Sequence, residues 1–264
     1  MEPSNGSGGD CRVAALSGGS SGIGKAIAAA FCARGWKVAL GARRVERVRE
    51  TVDSLREAGG AVFGDTLDVT DAGSIDAFYD AARETLGPID LVVSCAAHAR
   101  PGPFWELPPE EIRSEIDTGL IGALLFARRG VRDMIAARSR GDVVFISSTT
   151  AAVPWPFHSP YAASKAGLEQ ASRSIALELE GTGIRSLVVR VGNTVGTGWA
   201  NDWQAQDLGV TRRWQQLGLI RHGGFMQPAQ VAEAVIAVVT TPRGVQLEHV
   251  TVHPEAPMAE PAED

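Results

Sequence analysis

Short apolar runs alternate with longer amphipathic stretches along nearly the whole chain. The runs predict strands near Val13–Ser17, Lys37–Ala42, Ala61–Asp68, Leu91–Ser94, Asp142–Ser148, Ile184–Val191 and His249–Val252. Besides one helix that begins at the first glycine-rich turn, the stretches predict helices at Val45–Ala58, Asp71–Leu86, Pro109–Ala137, Pro160–Leu179 and Pro228–Val239. This alternation predicts an α/β fold of Rossmann type, a doubly wound parallel sheet of about seven strands with helices on both faces.

At 264 residues the chain suits a single domain, which we place at residues 11–253. We expect a flexible N-terminal leader at residues 1–10 and a flexible C-terminal tail at residues 254–264, because both segments are polar or rich in small residues. The net charge is -6 and no run of basic residues occurs, which disfavours nucleic acid and membranes as partners. The three cysteines lack the spacing of metal ligands, so we expect no metal and a cytoplasmic protein.

The first strand leads into a glycine-rich turn from which a helix begins. Backbone N–H groups at such a turn, together with the positive end of the helix, attract an anion. Glycine is needed there because a Cβ would block the turn or the approach of phosphates. A tight loop without a ligand is the alternative, but the strand and helix on either side favour a pyrophosphate site formed by Ser17, Gly18, Ser20, Ser21, Gly22, Ile23 and Gly24.

The end of the second strand indicates which dinucleotide binds. A carboxylate there would bind the adenosine ribose and repel a 2′-phosphate, whereas this chain has the small Ala42 followed by Arg43 and Arg44. Arginine forks onto phosphate, so the sequence favours NADP(H) over NAD(H), unless both arginines are merely solvated. Asp68 and Val69 end the third predicted strand, where we expect a contact with adenine.

A tyrosine, a lysine and a serine are candidates for acid–base chemistry. Tyr161 and Lys165 lie four residues apart on a predicted helix, and therefore on one face, while Ser148 ends the preceding strand. A free phenol has a pKa of about 10, and we expect the Lys165 cation to lower the pKa of Tyr161. The Ser148 hydroxyl would hold a substrate oxygen and stabilise charge on it.

Together these motifs resemble the short-chain dehydrogenase/reductase family, from Arg12 to about Val252. The resemblance implies hydride transfer between a nicotinamide and a carbonyl or secondary alcohol, with Ser148 and Tyr161 as catalytic residues and Lys165 also holding the nicotinamide ribose. It also implies that a second group of residues lies against the cofactor, namely Cys95, Ala96, Ala97, Val191, Gly192 and Thr194.

Two segments depart from the family pattern. Ser94-Cys95-Ala96-Ala97 stands where the family usually has Asn-Asn-Ala-Gly. Gly119 stands where the family has the asparagine that anchors a proton-relay water, and Asp117 lies on a different helix face. Backbone carbonyls hold that water instead, or the relay is weakened.

Residues 193–227 lie where the family builds a lid over the substrate, and they are rich in aromatic residues. We expect the substrate pocket to include His98, Trp155, Phe157, Trp199 and Trp203, which favours a bulky apolar or cyclic substrate. An equally weighted alternative is that the tryptophans attach the lid to the core or to another subunit and do not contact substrate. Arg100, Arg221 and His222 would favour a negatively charged group on the substrate.

The resemblance further implies a homo-oligomer, a dimer or tetramer, built on the central helix, the helix that carries Tyr161 and the C-terminal strand region. Charged residues on these two helices would form a polar rim to that interface, or would simply be solvated. They are Arg128, Arg129, Arg132, Glu169, Glu178 and Glu180. Two other functions stay open: a catalytically idle NADP(H)-binding sensor or assembly protein, and a related enzyme that reduces an imine or enone or epimerises a carbinol.

Overall fold

The computed structural model describes residues 11–197, 209–220 and 222–257. Its seven strands form one parallel sheet with the order β3-β2-β1-β4-β5-β6-β7. The strands are β1 (Val13–Ser17), β2 (Lys37–Ala42), β3 (Val62–Thr66), β4 (Leu91–Ser94), β5 (Gly141–Ser148), β6 (Ile184–Val191) and β7 (His249–Val252). The predicted Rossmann-type α/β architecture is confirmed.

Helices cover both faces of this sheet. They are α1 (Gly22–Cys32), α2 (Val45–Glu57), α3 (Ala72–Leu86), α4 (Pro109–Ile116), α5 (Ala123–Ala136), α6 (Ser159–Glu178), α7 (Val210–Gln216) and α8 (Pro228–Val239). Short 3-10 turns lie at Phe104–Glu106 and Thr149–Ala151, and a π-helical segment at Asp117–Gly122 joins α4 to α5. No helix in the described ranges is long and apolar enough to cross a bilayer.

Alternating strand residues build a separate core on each face of the sheet. Ala14 and Leu16 of β1 pack into one core, with residues of α1, α2 and α8. Val13 and Ala15 point to the other face, where α3, α5 and α6 supply the partners. Because both faces are covered, the central strands β1 and β4 are buried along their whole length and largely apolar, as is typical of parallel sheets.

The sequence prediction is wrong in detail at three places. The third strand ends at Thr66, so Asp68 and Val69 follow the strand instead of ending it. The predicted helix Pro109–Ala137 is interrupted by the π-helical segment. Helix α7 lies in the predicted lid and was not expected. The predicted leader, and residues 258–264 of the predicted tail, lie outside the described residues.

Two members of the predicted interface rim have partners within their own chain. Arg129 is buried on α5 and binds Asp76, Asp80 and Asp133. Glu169 is buried on α6, where it binds Arg190 and accepts a hydrogen bond from Ser147 at 2.7 Å. Both charges are therefore neutralised internally, and the prediction that they belong to a rim is wrong. The other four predicted rim residues are exposed.

A buried ionic cluster lies at the end of the sheet where the strands begin. Asp142, at the start of β5, is fully buried and contacts Arg12 at 2.6 Å and Arg185 at 2.7 Å. Arg12 also contacts Asp90 at 2.8 Å, and Arg243 lies 3.5 Å from Asp142. This cluster ties β1, β5 and β6 together at the end opposite the candidate site.

Candidate active site

A cavity of 1290 Å³ runs along the carboxyl ends of the strands. It crosses the point between β1 and β4, where the strand order reverses, which is the usual ligand site of such sheets. The glycine turn after β1 lies at one part of the cavity, and Ser148, Tyr161 and Lys165 lie at another.

The geometry of the glycine turn explains its composition. Gly18 has φ +74°, and a Cβ there would lie 2.9 Å from the backbone of Ala96. A Cβ at Gly24 would overlap the carbonyl oxygen of Gly18, so the start of α1 packs directly on the turn. Ser21, the residue before α1, makes no side-chain capping bond. The first N–H groups of α1 therefore lack a local side-chain cap, which suits an anion above them.

The residues predicted to bind the pyrophosphate separate into two groups. Gly18, Ser20, Ser21, Ile23 and Gly24 line the cavity. Ser17 is fully buried instead, and its hydroxyl accepts hydrogen bonds from the N–H groups of Cys95 at 3.1 Å and Ala96 at 3.3 Å.

Ser17 thus joins the turn to β4 and is not a wall residue. Gly22 has φ +51° and lies against the chain that leaves β6. A Cβ at Gly22 would lie 2.5 Å from the carbonyl oxygen of Thr197, so no side chain fits there.

The ends of β2 and β3 supply the next part of the wall. Ala42, Arg43, Arg44, Asp68 and Val69 all line the cavity. Within the described chain neither guanidinium forms an ion pair, so both are available to an anion. Asp68 accepts hydrogen bonds from the Thr70 hydroxyl and N–H, and these bonds lower the pKa of its carboxyl group. An anion-binding turn followed by two unpaired arginines fits a phosphorylated dinucleotide.

The three predicted catalytic residues converge at the other part of the cavity. Tyr161 forms a side-chain hydrogen bond with Ser148 at the end of β5. The Lys165 Nζ atom lies 5.7 Å from the centroid of the Tyr161 ring and donates to the carbonyl oxygen of Ile146 at 2.9 Å. The spacing of four residues on α6 therefore places the phenol and the ammonium side by side, as the sequence predicts.

The acidity of Tyr161 differs from the expectation. Burial raises the pKa of Tyr161 to about 12, although the hydrogen bond with Ser148 lowers it. Burial also lowers the pKa of Lys165 to about 8. The expected lowering of the phenol pKa by the Lys165 cation is therefore not found, because desolvation disfavours the charged forms of both groups.

The altered fourth-strand segment lies against the catalytic residues. Cys95, Ala96 and Ala97 line the cavity, and so do Val191, Gly192 and Thr194 from the end of β6. Burial raises the pKa of the Cys95 thiol to about 11, so the thiol stays neutral at physiological pH. These six residues therefore line the same cavity as the glycine turn, and a neutral thiol stands at the position of the family's usual amide.

At Gly119 the position of the usual asparagine is filled from α6. A Cβ at Gly119 would lie 2.8 Å from the Ser164 hydroxyl, which donates to the carbonyl oxygen of Tyr161 at 2.7 Å. Gly119 lies within the π-helical segment Asp117–Gly122. Asp117 is exposed and does not replace it.

The predicted substrate pocket is reproduced in part. His98 and Trp155 line the cavity, whereas Phe157 does not, although its carbonyl oxygen accepts a hydrogen bond from Gly102 at 3.0 Å. Trp199, Trp203 and Arg221 lie outside the described residues. Arg100 lines the cavity but is paired with Glu111 at 3.1 Å, and the His222 ring accepts from Gly224.

Two further aromatic residues, His158 and Trp214, lie next to the catalytic residues, and His158 contacts the ring of Tyr161. His158 stacks on Trp214 of α7 with ring centroids 4.9 Å apart, and its own centroid lies 5.8 Å from the Tyr161 ring. The Trp214 Nε1–H donates to the carbonyl oxygen of Pro156 at 2.9 Å. Burial lowers the pKa of His158 to about 4, so the ring is neutral at physiological pH. The position of His158 three residues before Tyr161 was the available signal.

Residues 12–208 match the family model described as short chain dehydrogenase. Because the match covers more than half of the chain, the chain belongs to the short chain dehydrogenase family, a family of oxidoreductases.

A short chain dehydrogenase of Pseudocercospora fijiensis (strain CIRAD86) is 33% identical over 183 residues, which are 69% of this chain and 59% of that protein. The chain therefore spans less than two thirds of that relative's length. The cis-4-hydroxycyclohexanecarboxylate dehydrogenase of Sinomonas cyclohexanicum is 34% identical over 225 residues, 85% of this chain and 87% of that protein.

Among solved structures, actinorhodin polyketide ketoreductase with NADPH matches with a TM-score of 0.80 at 28% identity. The match covers 92% of this chain and 96% of that chain. The likeness therefore extends over nearly the whole fold.

Proposed function

We propose that the chain is an NADP(H)-dependent oxidoreductase that interconverts a carbonyl and a secondary alcohol on a bulky apolar or cyclic substrate. One observation carries the proposal. The hydrogen-bonded pair Ser148 and Tyr161, with Lys165 beside it, opens onto the same cavity as the glycine turn and the two unpaired arginines. A dinucleotide that spans these features would bring its reactive ring to the catalytic residues.

Each catalytic residue has a distinct part in the proposed reaction. The bound cofactor supplies hydride for reduction, or accepts it in the reverse reaction. Ser148 holds the substrate oxygen by a hydrogen bond and stabilises the negative charge that develops on it. Tyr161 gives its phenolic proton to that oxygen as the C=O bond becomes CH–OH, and takes it back in the reverse direction.

The protonation states in the structure suit reduction at neutral pH. With a pKa of about 12, Tyr161 holds its proton and is ready to donate it. Lys165, with a pKa of about 8, is still mostly an ammonium at pH 7 and stabilises the phenolate left behind. Its Nζ keeps a fixed place because it donates to the carbonyl oxygen of Ile146.

Preference for NADP(H) follows from the end of β2. Ala42 leaves room for a 2′-phosphate, and the guanidinium groups of Arg43 and Arg44 line the same cavity without ion-pair partners in the described chain. A bidentate contact between arginine and phosphate is both strong and geometrically selective. The solved relative named above was crystallised with NADPH, which supports the same assignment.

A bulky apolar substrate is supported by the wall next to Tyr161. Trp155, Trp214, Ile220 and Phe225 line this part of the cavity. Aromatic walls gain most from apolar surface that they remove from water. One relative is named for a hydroxycyclohexane carboxylate, so cyclic ketones are the first substrates to test.

The proposal is tested by NADPH consumption with a panel of cyclic and aromatic ketones. We expect Tyr161→Phe to lower kcat by about a thousandfold, because the proton donor is lost. Tyr79→Phe is the matched control, since the Tyr79 hydroxyl donates to the carbonyl oxygen of Phe126 in the core, away from the cavity. Retention of most of the rate in Tyr161→Phe would refute the assigned role.

Cofactor preference is tested separately with Arg43→Ala. We expect KM for NADPH to rise by about tenfold or more while KM for NADH changes little, because only NADPH carries the 2′-phosphate. Arg49→Ala, at an exposed position on α2 outside the cavity, is the control. An equal effect of Arg43→Ala on both cofactors would remove the reason for naming NADP(H).

The second candidate is a catalytically idle NADP(H)-binding protein. It is favoured by two departures, the absence of the asparagine at Gly119 and the thiol of Cys95. Tight binding of NADPH in calorimetry with no turnover of any carbonyl, imine or enone would support it. Product analysis of an active enzyme separates carbonyl reduction from reduction of C=N or C=C bonds and from epimerisation.

A further inference from the structure

Helix α4 buries a single residue, and that residue is the acidic Glu115. Its exposure is 1%, whereas the other seven residues of the helix are partly or fully exposed. Glutamate is almost never fully buried without partners, because removal of a carboxylate from water is costly. Glu115 also lies one helical turn before Gly119, at the start of the segment that departs from the family pattern. A buried carboxyl group at this place requires an explanation.

The contacts of Glu115 join two parts of the candidate site. Its Oε1 atom accepts a hydrogen bond of 2.6 Å from the backbone N–H of Arg100, in the segment that forms a wall of the cavity. The Tyr161 N–H lies near enough to the carboxyl group to lower its pKa. The Oε2 atom is buried and makes no hydrogen bond within the described residues.

The first turn of α6 lacks a local side-chain acceptor for its backbone N–H groups. His158 precedes the helix and makes no side-chain capping bond, and Pro160 has no N–H to offer. Tyr161 is the third residue of the helix, a position whose N–H has no acceptor inside the helix. A carboxylate at this end is also favoured by the helix dipole. Glu115 provides from another helix what a local capping residue normally provides.

The charge of Glu115 reaches the phenol as well as the backbone of Tyr161. An ionised Glu115 raises the pKa of Tyr161, because a second negative charge nearby opposes formation of phenolate. Burial raises the pKa of Glu115 itself to about 7. The carboxyl group therefore changes its charge within the physiological pH range.

We propose that Glu115 is a positioning residue for Tyr161. It ties the cavity wall at Arg100 to the first turn of α6, and its negative charge, when present, opposes formation of the phenolate. The part of this inference that concerns turnover rests on the proposed function. The part that concerns the environment of Tyr161 does not.

Other charged groups surround Glu115 and enter the design of the test. Glu111 lies one turn earlier on α4 and raises the pKa of Glu115. The Arg100 side chain is turned to Glu111, and His98 contacts Ser114 at 3.1 Å. Tyr161 faces Glu115 from α6. Burial lowers the pKa of His98 from its ordinary value, whereas burial raises that of Glu115, so the two titrations move apart.

The chain offers a clean spectroscopic test, because it has only two tyrosines. With tyrosine labelled by ¹³C at Cζ, the Tyr161 resonance is the one that disappears in Tyr161→Phe. We expect this resonance to show an inflection near pH 7 between pH 5 and pH 9, as Glu115 ionises. The inflection should vanish in Glu115→Gln, which keeps an acceptor for the Arg100 N–H, and persist in Glu110→Gln, at an exposed position on the same helix.

Persistence of the inflection in Glu115→Gln would overturn the proposal. Should that variant fail to fold, the wild-type titration still decides, because a flat Tyr161 resonance across pH 7 is incompatible with a charge that forms beside it. The measurement needs no substrate, so its outcome is independent of the proposed function.

A kinetic measurement then connects Glu115 to turnover. In the oxidation direction, the pH profile of kcat/KM for Glu115→Gln should move to lower pH by about half a unit, since removal of a negative charge makes phenolate easier to form. KM for the cofactor should stay unchanged. A merely structural role would lower kcat without moving the profile, and that result would refute the electrostatic part of the proposal. Absence of turnover in the wild type would refute the proposed function alone.

Discussion

At Gly119 the Ser164 hydroxyl lies where a side chain would begin, and the same hydroxyl donates to the carbonyl oxygen of Tyr161. The π-helical segment and α6 therefore pack closely where the family has its asparagine. The two helices approach more closely here than a side chain at position 119 permits. Simple restoration of the asparagine therefore does not restore its function.

We expect Gly119→Asn to lower both stability and kcat, because its Cβ displaces Ser164 from the helix that carries Tyr161. The loss of stability should be about 1–3 kcal/mol, the usual range for overpacking. The double variant Gly119→Asn with Ser164→Ala should recover part of both losses, with Ser164→Ala alone as control. Thermal unfolding and NADPH turnover provide the measurements. A gain of activity in Gly119→Asn alone would contradict this account.

Sequence reasoning at the scale of residues succeeded where chemistry and spacing act together. Tyr161, Lys165 and Ser148 were found because only a few spacings bring such groups to one helix face and one strand end. Glu115 was missed, since a charged residue in an amphipathic helix normally indicates a solvated position. His158 was missed because it precedes α6, and a histidine outside a helix or strand is normally exposed. Their burial depends on α6 and α7, which pack against them from distant parts of the chain.

Among the elements, α7 shows how a helix outside the sheet shapes the site. It is only seven residues long, but its Trp214 is buried against His158 and Trp155 and is hydrogen-bonded to Pro156. The helix thereby holds the aromatic wall next to Tyr161. Trp214 therefore has two roles: it attaches the predicted lid to the core, and it also lines the cavity.

We expect Trp214→Ala to raise KM for bulky cyclic ketones by about tenfold or more and to affect small ketones less, because large substrates lose the most apolar contact. Trp105→Ala is the matched control, since Trp105 is 81% exposed on a 3-10 turn. Steady-state kinetics with a series of ketones of increasing ring size measures the effect. Equal changes in KM across that series would show that Trp214 stabilises the fold without selecting substrates.

Element boundaries were predicted well for the regular parts of the chain. Apolar runs bounded by glycine or proline gave six of the strands within one residue of their observed ends. The π-helical segment could not be predicted, because its apolar spacing resembles that of an α-helix over so short a length. Helix α7 was missed because its few turns carry mostly polar residues, and Trp214 alone does not make a helical pattern.

Across the whole molecule, stability and chemistry occupy opposite ends of the sheet. The ionic cluster around Asp142 lies where the strands begin, and the cavity lies where they end. The parallel arrangement makes this separation possible, since every carboxyl end points the same way. The Rossmann-type architecture could be predicted from sequence, whereas the Asp142 cluster could not, because its members come from five distant segments.

We expect Asp142→Asn to lower the free energy of unfolding by about 3 kcal/mol, because it leaves buried guanidinium groups without a counter-charge. KM values should stay unchanged, since the cluster lies far from the cavity. Glu57→Gln, at an exposed position at the end of α2, is the control. Urea unfolding monitored by circular dichroism measures the change. A shift in KM without loss of stability would show that Asp142 affects ligand binding and does not stabilise the fold, which would contradict this prediction.

The close approach of the Thr197 backbone to Gly22 bears on the order in which cofactor and substrate bind. The chain that leaves β6 returns across the sheet as far as the start of α1, and its backbone reaches the glycine turn itself. A nucleotide on that turn would therefore share a wall with the chain that leads toward the substrate. We expect a compulsory sequence of events, in which the coenzyme enters first and departs last, and inhibition patterns by the oxidised and reduced products distinguish this from random entry.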